Sequence, residues 1–424
     1  LRAKLKQNQS YRDVFSHRNY MLLWSGQTIS QFGDAITIVA IPLLVFNITQ
    51  SATSLTLAFI LEAIPWIIIG PISGVLIDRM SRRTILVLAD LSRMTLIALL
   101  FFTDSIWQIY LIGFLSQVMA AIFAPARSAI IPELVNKELY VKAIGLSHTS
   151  YQTIQVIGPS VAAVLLNLVG TRPVFLLDAA TFLIASLMTL SIHFPEKTES
   201  ISNSSSTFWN SFQEGFLFLI KSKVLRYALS INILKAVIAS LVLIGSVLYV
   251  KTNLSLPENQ ADSLYGIILA ASGLGIVLGT LAIGFWEKKL SRHYLILVGL
   301  LLQGMMYLFI SLKPDPITLV VIFFFAGLAS SGALTPISAC FAEATPNEVR
   351  GRVYSTTNSL LRIASLVAYF LAGFIGEKWG ASSLLLLSSL FLLLFTPLLT
   401  ILLKGPQAIK NLTAPSTHSN KANS

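Results

Sequence analysis

Long stretches of this chain carry no charge, and that limits what it can fold into. Residues 384–403 (LLLLSSLFLLLFTPLLTILL) contain no Asp, Glu, Lys or Arg. A surface helix of a soluble protein needs a polar face. A helix that crosses a bilayer needs about 20 mostly apolar residues instead. Hydropathy-window reasoning finds about a dozen such runs, with short charged clusters between them. In lipid each segment must satisfy its own backbone polar groups, so the runs are helices. The chain is therefore expected to be an all-α, polytopic membrane protein.

Only 12% of the 424 residues are charged, against 54% hydrophobic. The net charge of +11 would suggest nucleic acid in a soluble protein. Here it is read as basic loops facing anionic lipid, with no nucleic-acid partner. Cys340 is the sole cysteine and the five histidines are scattered. No metal, cofactor or disulfide is therefore expected. No nucleophile–base pair or phosphate-binding glycine loop stands out, so an enzyme is not expected either.

The predicted spans are Tyr20–Phe46, Ser54–Ile77, Ile85–Phe102, Trp107–Ile131, Ala143–Val169, Val174–Ile192, Leu225–Val250, Ser263–Trp286, Tyr294–Leu312, Ile317–Phe341, Val353–Ile375 and Ser382–Leu403. Twelve spans put both termini on one side. Loops after odd-numbered spans carry Arg172, Lys251, Lys313 and Lys378 and little other basic charge. The termini and remaining loops are far more basic, with Arg79, Arg82 and Arg83 in one loop alone. Positive charge stays inside, so both termini are expected to be cytoplasmic.

The longest connection, 194–224, divides the chain into halves 1–193 and 225–424, the second with a short cytoplasmic tail. The connection is Ser-rich at first. It then places Phe208, Phe212, Phe216 and Leu219 at helical spacing, as in an amphipathic helix on the inner face or an early start to the seventh span. The halves look duplicated. Ser81-Arg82-Arg83 returns as Ser291-Arg292-His293, and Pro125 with Glu133 and Asn136 returns as Pro336 with Glu343 and Asn347. The shared offset of 210 or 211 residues supports a repeated six-helix unit, a common construction of secondary transporters.

The segment after span two reads Gly74-Val-Leu-Ile-Asp78-Arg79-Met-Ser81-Arg82-Arg83. It resembles the signature loop of the major facilitator superfamily, with Ser81 in place of the motif's second glycine. Span five carries Gly145, Gly158-Pro159 and Ala162-Ala163, which is similar to the antiporter motif of drug/proton exchangers. Gly158 and Pro159 are the expected helix kink. The fourth-span arginine of the superfamily is missing, and Ser116 lies near its place. Phe123-Ala-Pro125-Ala, Ile131-Pro132-Glu-Leu-Val135 and Pro346-Asn-Glu-Val-Arg-Gly351-Arg352-Val353 resemble the branch of macrolide-efflux proteins and the enterobactin exporter. The resemblance covers nearly the whole chain.

It implies the major facilitator fold, with two pseudo-symmetric six-helix halves, in a bacterial cytoplasmic membrane. It implies export of a hydrophobic or amphipathic small molecule against proton entry, by a monomer in contact with lipid. A dedicated siderophore or lysolipid exporter is one alternative; a non-transporting membrane sensor is another. Gating is expected of Gly74, Asp78, Arg79, Arg82, Arg83, Arg127, Gly351 and Arg352, with Asp78 bonding near Gly351-Arg352.

Ionisable groups at membrane depth cost several kcal/mol unless paired or hydrated, so each is a functional candidate. Asp34 and Glu62 sit near mid-span and are the expected proton carriers. Lys235 and Arg362 are deep basic residues of the second half, assigned to a substrate cavity with Tyr151 and Trp66. Asp90 and Arg93 are expected to form a local pair three residues apart on one helix. Asp178 is expected to be structural.

Overall fold

The computed structural model describes residues 11–136, 138–192, 208–286, 290–346 and 348–413. They form two compact units, 11–192 with 256–270, and 208–255 with 271–413. In chain order the helices are α1 (Tyr11–Phe15), α2 (Arg18–Thr49), α3 (Ala52–Arg79), α4 (Arg82–Leu99), α5 (Ile106–Leu134), α6 (Tyr140–Val169) and α7 (Pro173–Leu190). They continue as α8 (Phe208–Lys221), α9 (Lys223–Thr252), α10 (Glu258–Trp286), α11 (Arg292–Phe309), α12 (Pro316–Ala344), α13 (Arg350–Leu402) and α14 (Gly405–Thr413).

Ten of these are long and apolar enough to cross a membrane. One of the ten, α13, is two helices joined at Gly380, where φ is 77° and ψ 177°. With α6, thirty residues long, the spans number twelve. Gly170, between α6 and α7, has φ 84° and ψ 172°. This backbone region is open essentially to glycine alone. The two glycines are 210 residues apart, and each introduces the last span of its unit.

The same offset recurs elsewhere. It relates α4 to α11 and α5 to α12, both ends included. It also relates two ion pairs at one end of the units. Arg82 pairs with Glu133 in the first unit. Arg292 meets Glu343 through two bonds of 2.6 and 2.8 Å in the second. The repeat read from sequence is thus a repeat of contacts.

Capping fixes where the spans begin. Ser81 accepts the Thr84 amide at the start of α4, and Ser222 accepts the Leu225 amide at the start of α9. Ser222 also ends α8, making it a separate helix rather than an extension of the seventh span. Asp315 caps α12 through the Ile317 and Thr318 amides, with Pro316 as the first helical residue.

In the first unit α2 packs on α6 and α7, α4 on α5 and α7, and α3 on α5. Tyr20 is fully buried there and donates to the Ala143 carbonyl at 2.7 Å, tying α2 to α6. In the second unit α9 packs on α13 and α12, and α11 on α12 and α13. Ser389 donates to the Gly304 carbonyl at 2.8 Å there. The linker helix α8 belongs to this unit and packs on α13. A Cβ on Gly215 would stand 2.7 Å from the Arg352 carbonyl, so only glycine lets the helices meet this closely.

Candidate functional site

Three helices of the first unit each bring an acidic residue with a polar companion three positions on, hence on one helix face. They are Asp34 and Thr37 on α2, Asp90 and Arg93 on α4, and Asp178 and Thr181 on α7. The packing of α2 and α4 on α7 gathers all six.

Arg93 pairs with Asp34. The expected local pair with Asp90 does not form. Its guanidinium crosses to α2, stacks 4.2 Å over the Phe182 ring and places Nε 3.5 Å from the Ser116 hydroxyl. Asp90 is buried, and its Oδ2 has no hydrogen-bond partner among the described residues. Ser116, expected to lie near the place of the superfamily's fourth-span arginine, thus has a guanidinium from α4 beside it.

Asp178, read from sequence as structural, lies at the heart of the cluster. It is fully buried and accepts from the Thr37 hydroxyl. The Thr181 hydroxyl stands 3.2 Å from its Oδ1. A Cβ on Gly33 would overlap the Asp178 carboxylate and the Thr181 hydroxyl. This glycine therefore admits the carboxylate to α2. Three carboxylates share one guanidinium, and a buried charge without a partner is strongly unfavourable. Asp34 is the accessible member, its side chain 36% exposed, while Asp90, Arg93 and Asp178 are buried.

Glu62 stands apart from this cluster. It is half-buried on α3, with Oε1 3.5 Å from the Cβ position of Gly113 on α5. Trp66, expected to line a cavity, donates to Gln117 on α5 at 2.8 Å. Tyr151 is exposed on α6, and Lys235 and Arg362 are half-buried on α9 and α13. Gly158 lies inside the continuous α6 with Pro159, and a Cβ there would overlap that of Ala35, next to Asp34.

A second polar feature lies on the same face of α2. Trp24, Gln27 and Gln31 fall at helical spacing ahead of Asp34. They line a narrow cleft closed by Arg127 of α5 and Ser147 of α6, with free space of about 10 Å³. Sequence reasoning assigned Arg127 to gating and overlooked the two glutamines. Their signal was two amides in an apolar run.

The remaining expected gating residues form contacts at the ends of helices. Arg82 also donates to the Ala129 carbonyl at 2.7 Å, and Arg83 donates to the Leu190 carbonyl. Arg352 pairs with Glu214 of α8 at 2.5 Å, and Thr356 donates to the Phe212 carbonyl at 3.3 Å. Gly351 has open space around it. The side chains of Gly74, Asp78 and Arg79 lie outside the described residues, as do Lys137, Asn347 and the Ser-rich 194–207.

Residues 11–423 match the family described as transmembrane secretion effector. The chain belongs to that family of the major facilitator superfamily. The transporter is 26% identical over 387 residues to macrolide efflux protein A of Streptococcus pyogenes, covering 87% of this chain and 92% of that one. It is 26% identical over 376 residues to a multi-drug resistance efflux pump PmrA homolog of Lactococcus lactis, with 85% and 90% covered. Its fold is like that of the crystal structure of the nucleoside transporter NupG. The TM-score is 0.69 at 12% identity, over 91% of this chain and 98% of that one. The chain is therefore a multi-span secondary transporter of the major facilitator fold, and not an enzyme.

Proposed function

We propose that this transporter exports a hydrophobic or amphipathic small molecule in exchange for protons, and that the cluster around Asp34 is its proton site. The observation that carries this is the three-to-one ratio of carboxylates to guanidinium in a buried setting. Such a set is balanced only when protons occupy it. Asp34 is the member that protons can reach. A proton on Asp34 cancels its attraction for Arg93. The freed guanidinium then has two other carboxylates near it, Asp90 and Asp178, both within electrostatic range of Arg93 and Asp34. Exchange of partners links proton binding to the packing of α2, α4 and α7. A two-state element of this kind is what coupling requires.

The names of the relatives support efflux of drug-like compounds. The basic-residue bias supports a cytoplasmic position for both termini. We take the functional unit to be one chain, dividing near 194–224, in the cytoplasmic membrane of a bacterium, with Lys235, Arg362 and Tyr151 facing substrate. Asp78 remains the proposed latch to the start of α13, since its loop matches the superfamily signature.

The test is uphill flux of a macrolide and of a cationic dye in proteoliposomes under an imposed pH gradient. Equilibrium binding is measured alongside. Asp34→Asn is expected to abolish pH-driven flux and keep binding, because the amide resembles the protonated acid. Full pH-driven flux in Asp34→Asn would overturn the assignment. Loss in Glu62→Gln alone would move the role to α3.

A further inference from the structure

The cleft beside the cluster holds an unusual set of groups. Arg127 has no carboxylate partner among the described residues, and the titratable groups acting on it are the phenols of Tyr151 and Tyr20. The Tyr20 hydroxyl is already committed to the Ala143 carbonyl and Ser147. Gln27 is 6% exposed, lines the cleft, and its Nε2 has no hydrogen-bond partner among the described residues. The Trp24 indole N–H is taken by Ser150 at 3.1 Å. Among the described residues the cleft thus offers a guanidinium without a carboxylate and an amide donor without an acceptor, together with the unpartnered Gln31 Oε1 acceptor, beside an aromatic wall. A buried donor left without an acceptor is costly, and the half-buried Arg127 adds a positive charge beside it.

Building on the export reading, we infer that this cleft is a substrate subsite that receives the anionic, oxygen-bearing end of the exported molecule, a carboxylate by preference. A guanidinium and a carboxylate oxygen form a charge-assisted bond, and Gln27 supplies a second donor to the one oxygen that enters. The free space admits about one water-sized group. The cleft therefore takes the terminal group of a larger amphiphile, whose apolar body stays outside beside Trp24. Gln27 and Asp34 are seven residues apart on α2, about 10 Å along the axis. The reading departs from what a pump for cations or neutral compounds alone would need.

The test is equilibrium binding of 11-bromoundecanoate and its amide, 11-bromoundecanamide, to the purified full chain in phosphatidylcholine nanodiscs. Bromine quenching of Trp24 is read as the difference between wild type and Trp24→Phe. The carboxylate is expected to bind at least tenfold more tightly than the amide, the scale of one charged hydrogen bond. Arg127→Gln is expected to bring the ratio to about one, and Arg127→Lys to keep part of it. Gln27→Leu leaves the guanidinium in place and is expected to weaken carboxylate binding about fivefold. That variant carries the test if Arg127→Gln does not fold. An unchanged ratio in Arg127→Gln, or unchanged carboxylate affinity in Gln27→Leu, would overturn the subsite. Displacement of the probe by added phosphatidylglycerol would overturn it too, because the anion would then be a lipid phosphate. The assay needs no gradient. A carboxylate preference that persists without pH-driven flux would sink export and leave the subsite standing.

Discussion

A single missing methyl group decides whether the carboxylate cluster can assemble. Gly33 leaves the space that the Asp178 carboxylate and the Thr181 hydroxyl occupy. Gly33→Ala is expected to lower stability by about 1–3 kcal/mol, the usual cost of overpacking, and to reduce pH-driven flux. Gly284 has nothing within 4 Å of its Cβ position. Gly284→Ala is therefore expected to be neutral, or stabilising by up to about 1 kcal/mol. Thermal melts of both variants in one detergent make the comparison. The Asp34–Arg93 pair invites a double-mutant cycle. Arg93→Gln leaves three carboxylates with no cation and should be strongly destabilising. Adding Asp34→Asn should recover part of the loss, with a coupling of about 1–3 kcal/mol. Strict additivity would mean that the pair is not formed. At this scale the sequence was only half readable. Asp34 and Glu62 stood out because charge at depth is rare, but nothing in the spacing told that Arg93 would choose α2 over its own helix. Asp178 passed as structural because its partners, Thr37 and Gly33, come from a span 141 and 145 residues away, and single-chain patterns carry no cross-helix distances.

Among the elements, breaks and caps matter more than the runs between them. Apolar runs gave the twelve spans directly, since the length needed to cross lipid is fixed. The break at Gly380 has a physical cause in its backbone, and the matching value at Gly170 shows it to be part of the repeat. Gly380→Ala and Gly170→Ala should each cost about 1–3 kcal/mol, from forcing a side chain into a region that excludes it. Equal melting temperatures for wild type and both variants would contradict that. Asp315 shows the opposite device, an acid at a helix start. Hydrogen bonds from the Thr318 side chain, then from the Thr318 backbone, hold its carboxyl below the usual range. Its contribution is therefore complete above about pH 4, the unfolded value. It fades as pH falls through the lower folded value. Asp315→Ala should lower the melting temperature at pH 7, with the gap from wild type closing toward pH 2. A gap that stayed constant with pH would assign its effect to something other than charge.

At the scale of the whole molecule, orientation is the first matter to test. Cys340 is buried and is the only cysteine, so the natural chain is nearly silent to an impermeant thiol reagent. Glu138→Cys should be protected and Pro257→Cys labelled on intact cells. The reverse pattern would invert the topology. The second matter is the difference between the repeats. The scaffold was duplicated in detail: the loop arginine with its glutamate, the hinge glycine, the ends of four helices. The charges were not. The positions 210 residues beyond Asp90, Arg93 and Asp178 hold Leu300, Gln303 and Ser388. Leu300 and Ser388 are fully buried, and the Ser388 hydroxyl turns back to the Leu384 carbonyl at 2.8 Å. The first unit therefore gathers three carboxylates and a guanidinium, while the positions 210 residues beyond Asp90, Arg93 and Asp178 in the second are uncharged. Under the proposed proton role, a change of shape in the second unit leaves the number of protons per cycle unaltered. On that proposal the two properties a pump must tune, what it moves and what it charges for moving it, are placed on separate inheritances within one gene.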